Sequence, residues 1–286
     1  SSRTGMLRPS GPAPHSSYTT SLDATLLRLG EDRRRSADLR DLRCVIHSGA
    51  PCPIAVKERI LHWWGDIVWE VYGTTEGTAT FASAQDWRAR PGTQGRPLPG
   101  GDVAVLASDG SPCPPGVSGQ VFIKSPPQLP PFEYLNDPTR TRANRRDDYF
   151  TVGDLGHVDD EGWLFLTGRA ADIINVAGLN VYGAEVEEVI ARHPAVLGVA
   201  VIGVPSTQTG EEVKAIVELE AGHVPVPRLT AEIAAMCRQS LASHKWPASI
   251  DYRPQLPRDE RGKLRREELR SEYLEEPEQG PFQAPN

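Results

Sequence analysis

The segment AVLGVAVIGV, Ala195 to Val204, sets the tightest limit on what this chain can fold into. It carries no charge and is bounded by Pro194 and Pro205, so it belongs in an apolar interior. It falls well short of the ~18 apolar residues that a membrane span needs, which leaves a protein core as its place. Rich in Val and held between prolines, it predicts a buried strand. Its neighbours can supply the cover. AEVEEVIARH places Val186, Val189 and Ile190 on one side of an amphipathic helix, and VKAIVELE follows as a second strand. Leu229, Ile233, Cys237 and Leu241 then keep helical spacing through TAEIAAMCRQSLA, and the whole region reads as a compact α+β domain.

Upstream the pattern is different. SLDATLLRL reads as helical, EDRRRSADLRD as a solvated charged turn, and CVIHSG as a strand running into the loop SGAPCP. AVKERILHWW puts Val56, Ile60 and Trp64 one turn apart on a helix, and DIVWEVYG returns to a β pattern. Strand, helix and strand in that order form an α/β unit. From Trp87 to Gly168, short β-prone pieces (DVAVLA, GQVFIK, WLFLTG) alternate with Gly- and Pro-rich turns, which predicts a β-rich subdomain. The two ends are polar: SSRTGMLRPSGPAPHSS is rich in Pro and Ser, and SEYLEEPEQGPFQAPN is acidic and Pro-rich. The last residues, 275–286, are expected to form a disordered tail.

Composition excludes several function classes. The 286 residues allow about two domains. With 31 Lys and Arg against 38 Asp and Glu, the net charge is −7, and no broad basic surface exists to neutralise nucleic-acid phosphates. Cys44, Cys52, Cys113 and Cys237 match neither a zinc spacing nor a disulfide framework, which fits free thiols in a reducing compartment and a cytoplasmic location. His47, His62, His157, His193 and His244 show no metal spacing and read as packing or surface residues. Trp63, Trp64 and Trp69 read as core or as the wall of a pocket, and a role as a base-stacking platform for nucleic acid does not suit an acidic chain.

Three segments carry chemistry. VYGTTEG, Val71 to Gly77, follows a strand and exposes an aromatic ring, two hydroxyls and a carboxylate together. Such a loop can stack a base, hydrogen-bond a phosphate through Thr75 and hold Mg²⁺ through Glu76, because Mg²⁺ commonly takes one or two carboxylates plus substrate phosphates. Between Phe150 and Ile190, Asp154 and Arg169 bracket a hairpin; an Asp can accept two ribose hydroxyls, and a nearby Arg can bind ribose or phosphate. In LPRDERGKLRREELR, Gly262 precedes the single Lys263 within a charged segment that otherwise reads as the start of a solvated helix.

Taken in order, HSGAPCP, YGTTEG, GRPLPG, EYLNDP, GDLGHVDDEGWLFLTGR, GLNVYGAEVEE and LPRDERGKLRREELR resemble the AMP-forming acyl-CoA synthetases. That group lies within the ANL superfamily, which also holds peptide-synthetase adenylation domains and luciferases, and the likeness spans about residues 39 to 270. The resemblance implies an acid–thiol ligase that makes an acyl-adenylate from a carboxylic acid and passes it to the CoA thiol or to a carrier-protein phosphopantetheine. SGAPCP, the WWG before the YGTTE loop and FEYLNDP look most like ligases for fatty or other bulky apolar acids. The implied cofactors are ATP or AMP, Mg²⁺ and coenzyme A; no nucleic acid or membrane span is implied, and a homo-oligomer is open.

By position, the resemblance puts Gly49 and Ala50 on one face of the adenine, Tyr72 stacked on the other, and Glu70 near the exocyclic amine. Thr75 would hold the α-phosphate, Glu76 the metal, and Asp154 with Arg169 the ribose. Gly178 would line the thiol tunnel, and Lys263 would be the mobile lysine of adenylation. The implied fold is α/β: an irregular N-terminal stretch in residues 1–17, for which a degraded phosphate loop is one reading, the C-terminal part of the large AMP-binding domain in 18–169, and a small mobile α+β domain in 170–274. No intact copy of the family's phosphate loop, rich in Ser, Thr and Gly and ending in Pro-Lys-Gly, is present; SSRTGMLRP keeps Ser1, Thr4 and Gly5, with Arg8 where the Lys falls and with Ser2 and Arg3 at positions that call for small residues. Further departures are Ala171 at the hinge, Asn180 and Gly183. These leave two other readings open, a member specialised for thioester formation from a supplied acyl-adenylate and a nucleotide-binding portion without turnover.

Overall fold

A computed structural model describes residues 15–18, 31–36, 38, 41–49, 52–129, 132–259 and 263–275. The chain divides into two compact units, the first made of residues 1–104, 123–150 and 159–165, the second of 105–122, 151–158 and 166–286.

The first unit begins with three parallel strands, β1 (His15–Tyr18), β2 (Cys44–His47) and β3 (Val68–Thr74), with helix α1 (Ile54–Trp64) crossing between β2 and β3. The sheet then turns antiparallel through β4 (Gly77–Ala82) and β5 (Thr93–Pro97), and the start of β11 (Leu164–Arg169) pairs with β5. Helix α1 buries Ile60 and Leu61 against Val45 and Val68, beside Trp87 of the short helix α2 (Ala84–Ala89). Each such aliphatic side chain removed from water contributes about 1.5–3 kcal/mol. Ser83 caps α2 reciprocally with Asp86, which fixes where the chain turns after β4. The stretch read as a charged turn contains instead a short helix, Glu31–Ser36. SLDATLLRL lies outside the described residues.

The second unit contains β6 from Val105 onward (β6 is Asp102–Leu106), most of β7 (Gly119–Lys124) and β10 (Asp154–Val158), with β7 and β10 antiparallel through Leu155 and Gln120. Its larger part is a second sheet ordered β13 (Leu179–Tyr182), β12 (Ile173–Val176), β15 (Gly210–Leu219), β14 (Val196–Ser206), with β16 (Ser249–Arg253) parallel to β15. The long apolar run is β14, antiparallel to β15 along its length. Side chains alternate between faces along a strand, so an unbroken apolar run requires cover on both sides. On one face Val201 packs with Val186, Val189 and Ile190 of a helix over Gly183–Ile190, and with Leu229, Ile233 and Cys237 of a helix over Pro227–Ser240. On the other, Ala200, Ile202 and Val204 meet Leu256 and Leu269, the latter from a helix over Arg266–Glu275. Residues 276–286 lie outside the described residues. No helix among those described is long and apolar enough to cross a membrane.

Candidate active site

The loop expected to bind phosphate is a hairpin turn. β3 ends at Thr74 and β4 begins at Gly77, leaving Thr75 and Glu76 at the tip, the first exposed and the second half-buried. Glu76 is fixed from both sides. Its N–H donates to Thr74 Oγ1 at 3.2 Å, and Oε1 of its carboxylate accepts from Tyr134 Oη at 3.0 Å. Gly77 is required beside it: a Cβ there would lie 2.5 Å from Ser125 Oγ and 3.0 Å from Phe150 Cζ.

Two residues back along β3, the same strand face points inward. Tyr72 is 7 % exposed and Glu70 2 %. Glu70, expected beside the adenine amine, is held inside the unit: Lys57 Nζ donates to its Oε2 at 2.6 Å, and His47 Nδ1 lies 2.9 Å from Oε1. Burial pushes the Glu70 carboxyl up, but His47 and Lys57 together outweigh it and hold the group below its usual range. Lys57 is on α1 and His47 ends β2, so this cluster ties all three elements under the strand that carries Tyr72. Lys57 was missed in the sequence, although it shares a helix face with Ile60 and Leu61, and a lysine on an apolar face calls for a buried carboxylate. Gly49 is exposed at the end of β2, while Ala50 lies outside the described residues.

The other expected site residues lie in the second unit. Arg169 Nε donates to Asp154 Oδ1 at 2.9 Å, so the two form an ion pair between adjacent strand ends, with the Asp154 side chain 9 % and the Arg169 side chain 45 % exposed. Gly178 sits in the turn joining β12 and β13 with φ +83°, after Ala177 at φ 51°, the paired left-handed conformation of a tight hairpin. Its N–H donates to Asn175 Oδ1 at 2.9 Å. Lys263 is half-buried, and its loop is closed by Asp259: the Lys263 N–H donates to Asp259 Oδ1 and the Asp259 N–H to the Lys263 carbonyl, both at 2.8 Å. Just beyond, Arg266 makes two bonds to the Glu187 carboxylate at 2.7 and 2.8 Å. Glu187, with burial working against it, drives the Arg266 guanidinium above its usual range. This pair, absent from the sequence reading, clamps the start of the last helix beside the Lys263 loop. Glu260 to Gly262 and the segment SSRTGMLRP lie outside the described residues.

No cluster of three metal-ligating side chains exists among the described residues. Glu76 offers a suitable hard oxygen: Tyr134 takes Oε1, and among the described residues no hydrogen bond reaches Oε2.

The first unit thus carries a strand-turn-strand hairpin with a hydroxyl and a carboxylate at its tip, and the second an Asp–Arg pair and the Lys263 loop. Two successive family models match, the AMP-binding enzyme over residues 14–130 and the AMP-binding enzyme C-terminal domain over 185–263, and the chain belongs to this family. It is 33 % identical over 240 residues to a long-chain-fatty-acid–CoA ligase of Bacillus subtilis, covering 83 % of this chain and 42 % of that protein. It is 34 % identical over 241 residues to the fatty acid–[acyl-carrier-protein] ligase ScoC of Streptomyces coeruleorubidus, covering 82 % and 46 %. Among solved structures, the amide bond synthetase McbA of Marinactinospora thermotolerans superposes with a TM-score of 0.83 at 30 % identity, over 91 % of this chain and 53 % of that one. The chain thus spans about half the length of the relatives it matches.

Proposed function

We propose that this chain carries the nucleotide loop and the mobile C-terminal domain of an AMP-forming acyl-CoA ligase acting on a fatty or other bulky apolar acid. The observation that supports it best is the hairpin tip, where an exposed Thr75 hydroxyl and an anchored Glu76 carboxylate stand side by side. In the first half-reaction the substrate carboxylate oxygen attacks the α-phosphorus of ATP, the bond to the pyrophosphate oxygen breaks, and acyl-AMP forms. Thr75 donates to an α-phosphate oxygen, and Glu76 would hold a divalent cation, which would supply charge neutralisation for the departing pyrophosphate. Asp154 accepts the ribose hydroxyls, oriented by its bond to Arg169. Tyr72 stacks on the base opposite Gly49, and Glu70 keeps β3 in place beneath it. Lys263 donates to the α-phosphate oxygens as charge builds there, an interaction stronger in the transition state than in the ground state.

In the second half-reaction the CoA sulfur attacks the acyl carbonyl and AMP leaves. The domain of residues 170–274 turns about the Ala170–Asp172 segment and presents the Gly178 turn in place of Lys263. The acid class is supported by the likeness to two fatty-acid ligases, and the thiol acceptor by the same pair, one a CoA ligase and one a carrier-protein ligase.

The test uses the encoded polypeptide that contains this sequence. Lys263→Ala is expected to slow acyl-adenylate formation by about 10²-fold or more, on the scale of removing one transition-state charge stabiliser, while thioester formation from supplied acyl-AMP persists. Equal loss in both half-reactions would remove Lys263 from this role. A panel of acids of increasing chain length, read by pyrophosphate release, tests the substrate class: preference for short or polar acids overturns it.

A further inference from the structure

Tyr134 is the one described side chain that bonds to the Glu76 carboxylate, and it is held far more firmly than a solvent-facing tyrosine. Its backbone N–H donates to Thr141 Oγ1 at 3.0 Å, and its carbonyl accepts the Asp137 N–H at 3.1 Å. Its ring stacks under the Arg140 guanidinium, 4.0 Å from the centroid, and meets Phe132 edge-on at 5.2 Å. Phe132 in turn packs edge-on against Phe150, the residue that closes over Gly77. Asp137 caps the helix Pro138–Ala143 and fixes Arg140 and Thr141 in the geometry that grips the tyrosine. A phenol is a hydrogen-bond donor at neutral pH, and here it donates to the Glu76 carboxylate.

Resting on the assignment of Glu76 to the cation, we infer that Tyr134 is a positioning residue for binding of the Mg²⁺-nucleotide. Its hydroxyl occupies Oε1 and sets the plane of the carboxylate, so that Oε2 is the oxygen turned to the metal. A donor behind a metal-binding carboxylate orients the ligand without neutralising it. The FEYLNDP turn then serves the phosphate end of the nucleotide from 58 residues away in sequence. AMP, which binds without the cation, draws nothing from this bond.

The measurement is calorimetric titration of the encoded polypeptide with ATP at graded Mg²⁺ concentrations and, separately, with AMP in the absence of metal. Tyr134→Phe keeps the ring, its contact with Arg140 and its packing on Phe132. It is expected to raise the Mg²⁺ concentration needed for half-saturation with ATP by about 10-fold, the scale found for residues that orient metal ligands. AMP affinity is expected to stay as in the unaltered protein. Equal weakening of AMP and Mg²⁺-ATP, or an unchanged Mg²⁺ requirement, overturns the inference. Glu76→Gln separates it from the reading beneath: if that variant leaves the Mg²⁺ requirement unchanged, the assignment of Glu76 falls and the inference with it. If Glu76→Gln raises the requirement and Tyr134→Phe does not, Tyr134 alone is at fault. The double variant is expected to match Glu76→Gln, and additive losses would show that Tyr134 acts elsewhere.

Discussion

The two units are stabilised in different ways. In the second, the side chains of β14 lie between two largely apolar layers, with one polar contact from the Glu187 carboxylate, which is held by Arg266 and accepts the Val201 N–H. In the first, the strand that leads into the nucleotide loop is anchored by charge: Glu70 of β3 is buried with Lys57 of α1 and His47 of β2. Apolar packing tolerates small shifts and exchanges of similar volume, whereas a buried ion cluster is satisfied in one geometry only. The difference places the stiff, direction-specific contacts under Tyr72 and Thr75, on the loop proposed to meet a nucleotide, and the forgiving ones in the domain that is proposed to move as a body.

Lys57→Ala gives the largest expected effect. It leaves Glu70 buried with one partner gone, and loss of about 3–5 kcal/mol is expected from denaturant unfolding of the first unit. Replacing both Lys57 and Glu70 by Met and Gln should recover much of that stability. If nucleotide affinity recovers with it, the ion cluster contributes stability alone, and the contrast between the units loses its functional meaning. Acid tests the same cluster. A carboxyl held below its usual value favours the folded state above the unfolded-state value near 4.5, and that contribution is lost as pH falls through the lowered folded value. The first unit should therefore lose stability with acid more steeply in the native protein than in the double variant, whose β3 has no ionisable group at position 70.

Ile202→Ala in β14 comes next. Ile202 is fully buried against Leu256 and Leu269, and truncation is expected to cost about 2–5 kcal/mol, at the low end if the two leucines close over the gap. Ile202→Val should cost only about 0.5–1.5 kcal/mol. A graded response of this kind in the second unit, against an all-or-none response at Lys57, is what the comparison requires. Equal sensitivity at both would break it.

These two regions also differ in how far they can be read from the sequence. The β14 run between Pro194 and Pro205 announces a strand covered on both faces, and the spacing of Val186, Val189 and Ile190 announces one of its covers. Both signals are local and depend on periodicity alone. The cover from Leu256 and Leu269 is not legible, since those residues stand in charged surroundings and reach β14 only through the tertiary fold. In the first unit, the order of motifs marks the turn at Thr75 and Glu76, but the contacts that fix it are long-range. Glu70 pairs with Lys57 and His47 from 13 and 23 positions away, and Glu76 with Tyr134 from 58. A helical-wheel reading that favours Val56, Ile60 and Trp64 overlooks Lys57, because no pattern of apolar spacing calls for a lysine in the core. The charged run at 31–36 forms a helix where a turn is expected, since solvated charge constrains side chains toward water and leaves the backbone free to choose.

The smallest expected effect sharpens the comparison from the side of the loop. Asp137 accepts the Arg140 N–H at 2.9 Å at the start of the helix Pro138–Ala143, with Pro138 at its first position. Asp137→Ala removes the cap and is expected to cost about 1 kcal/mol of stability. Because that helix presents Thr141 and Arg140 to Tyr134, fraying at its first turn loosens the tyrosine before it unfolds anything else. The variant should therefore raise the Mg²⁺ requirement for ATP by a smaller factor than Tyr134→Phe, with the melting temperature lowered by about 2–4 °C. A capping change that lowers stability while leaving the Mg²⁺ requirement intact would mean that Tyr134 is held by its ring contacts alone. The link from the FEYLNDP turn to Glu76 would then end at Phe132 and Arg140, and the cap would matter only for the helix it begins.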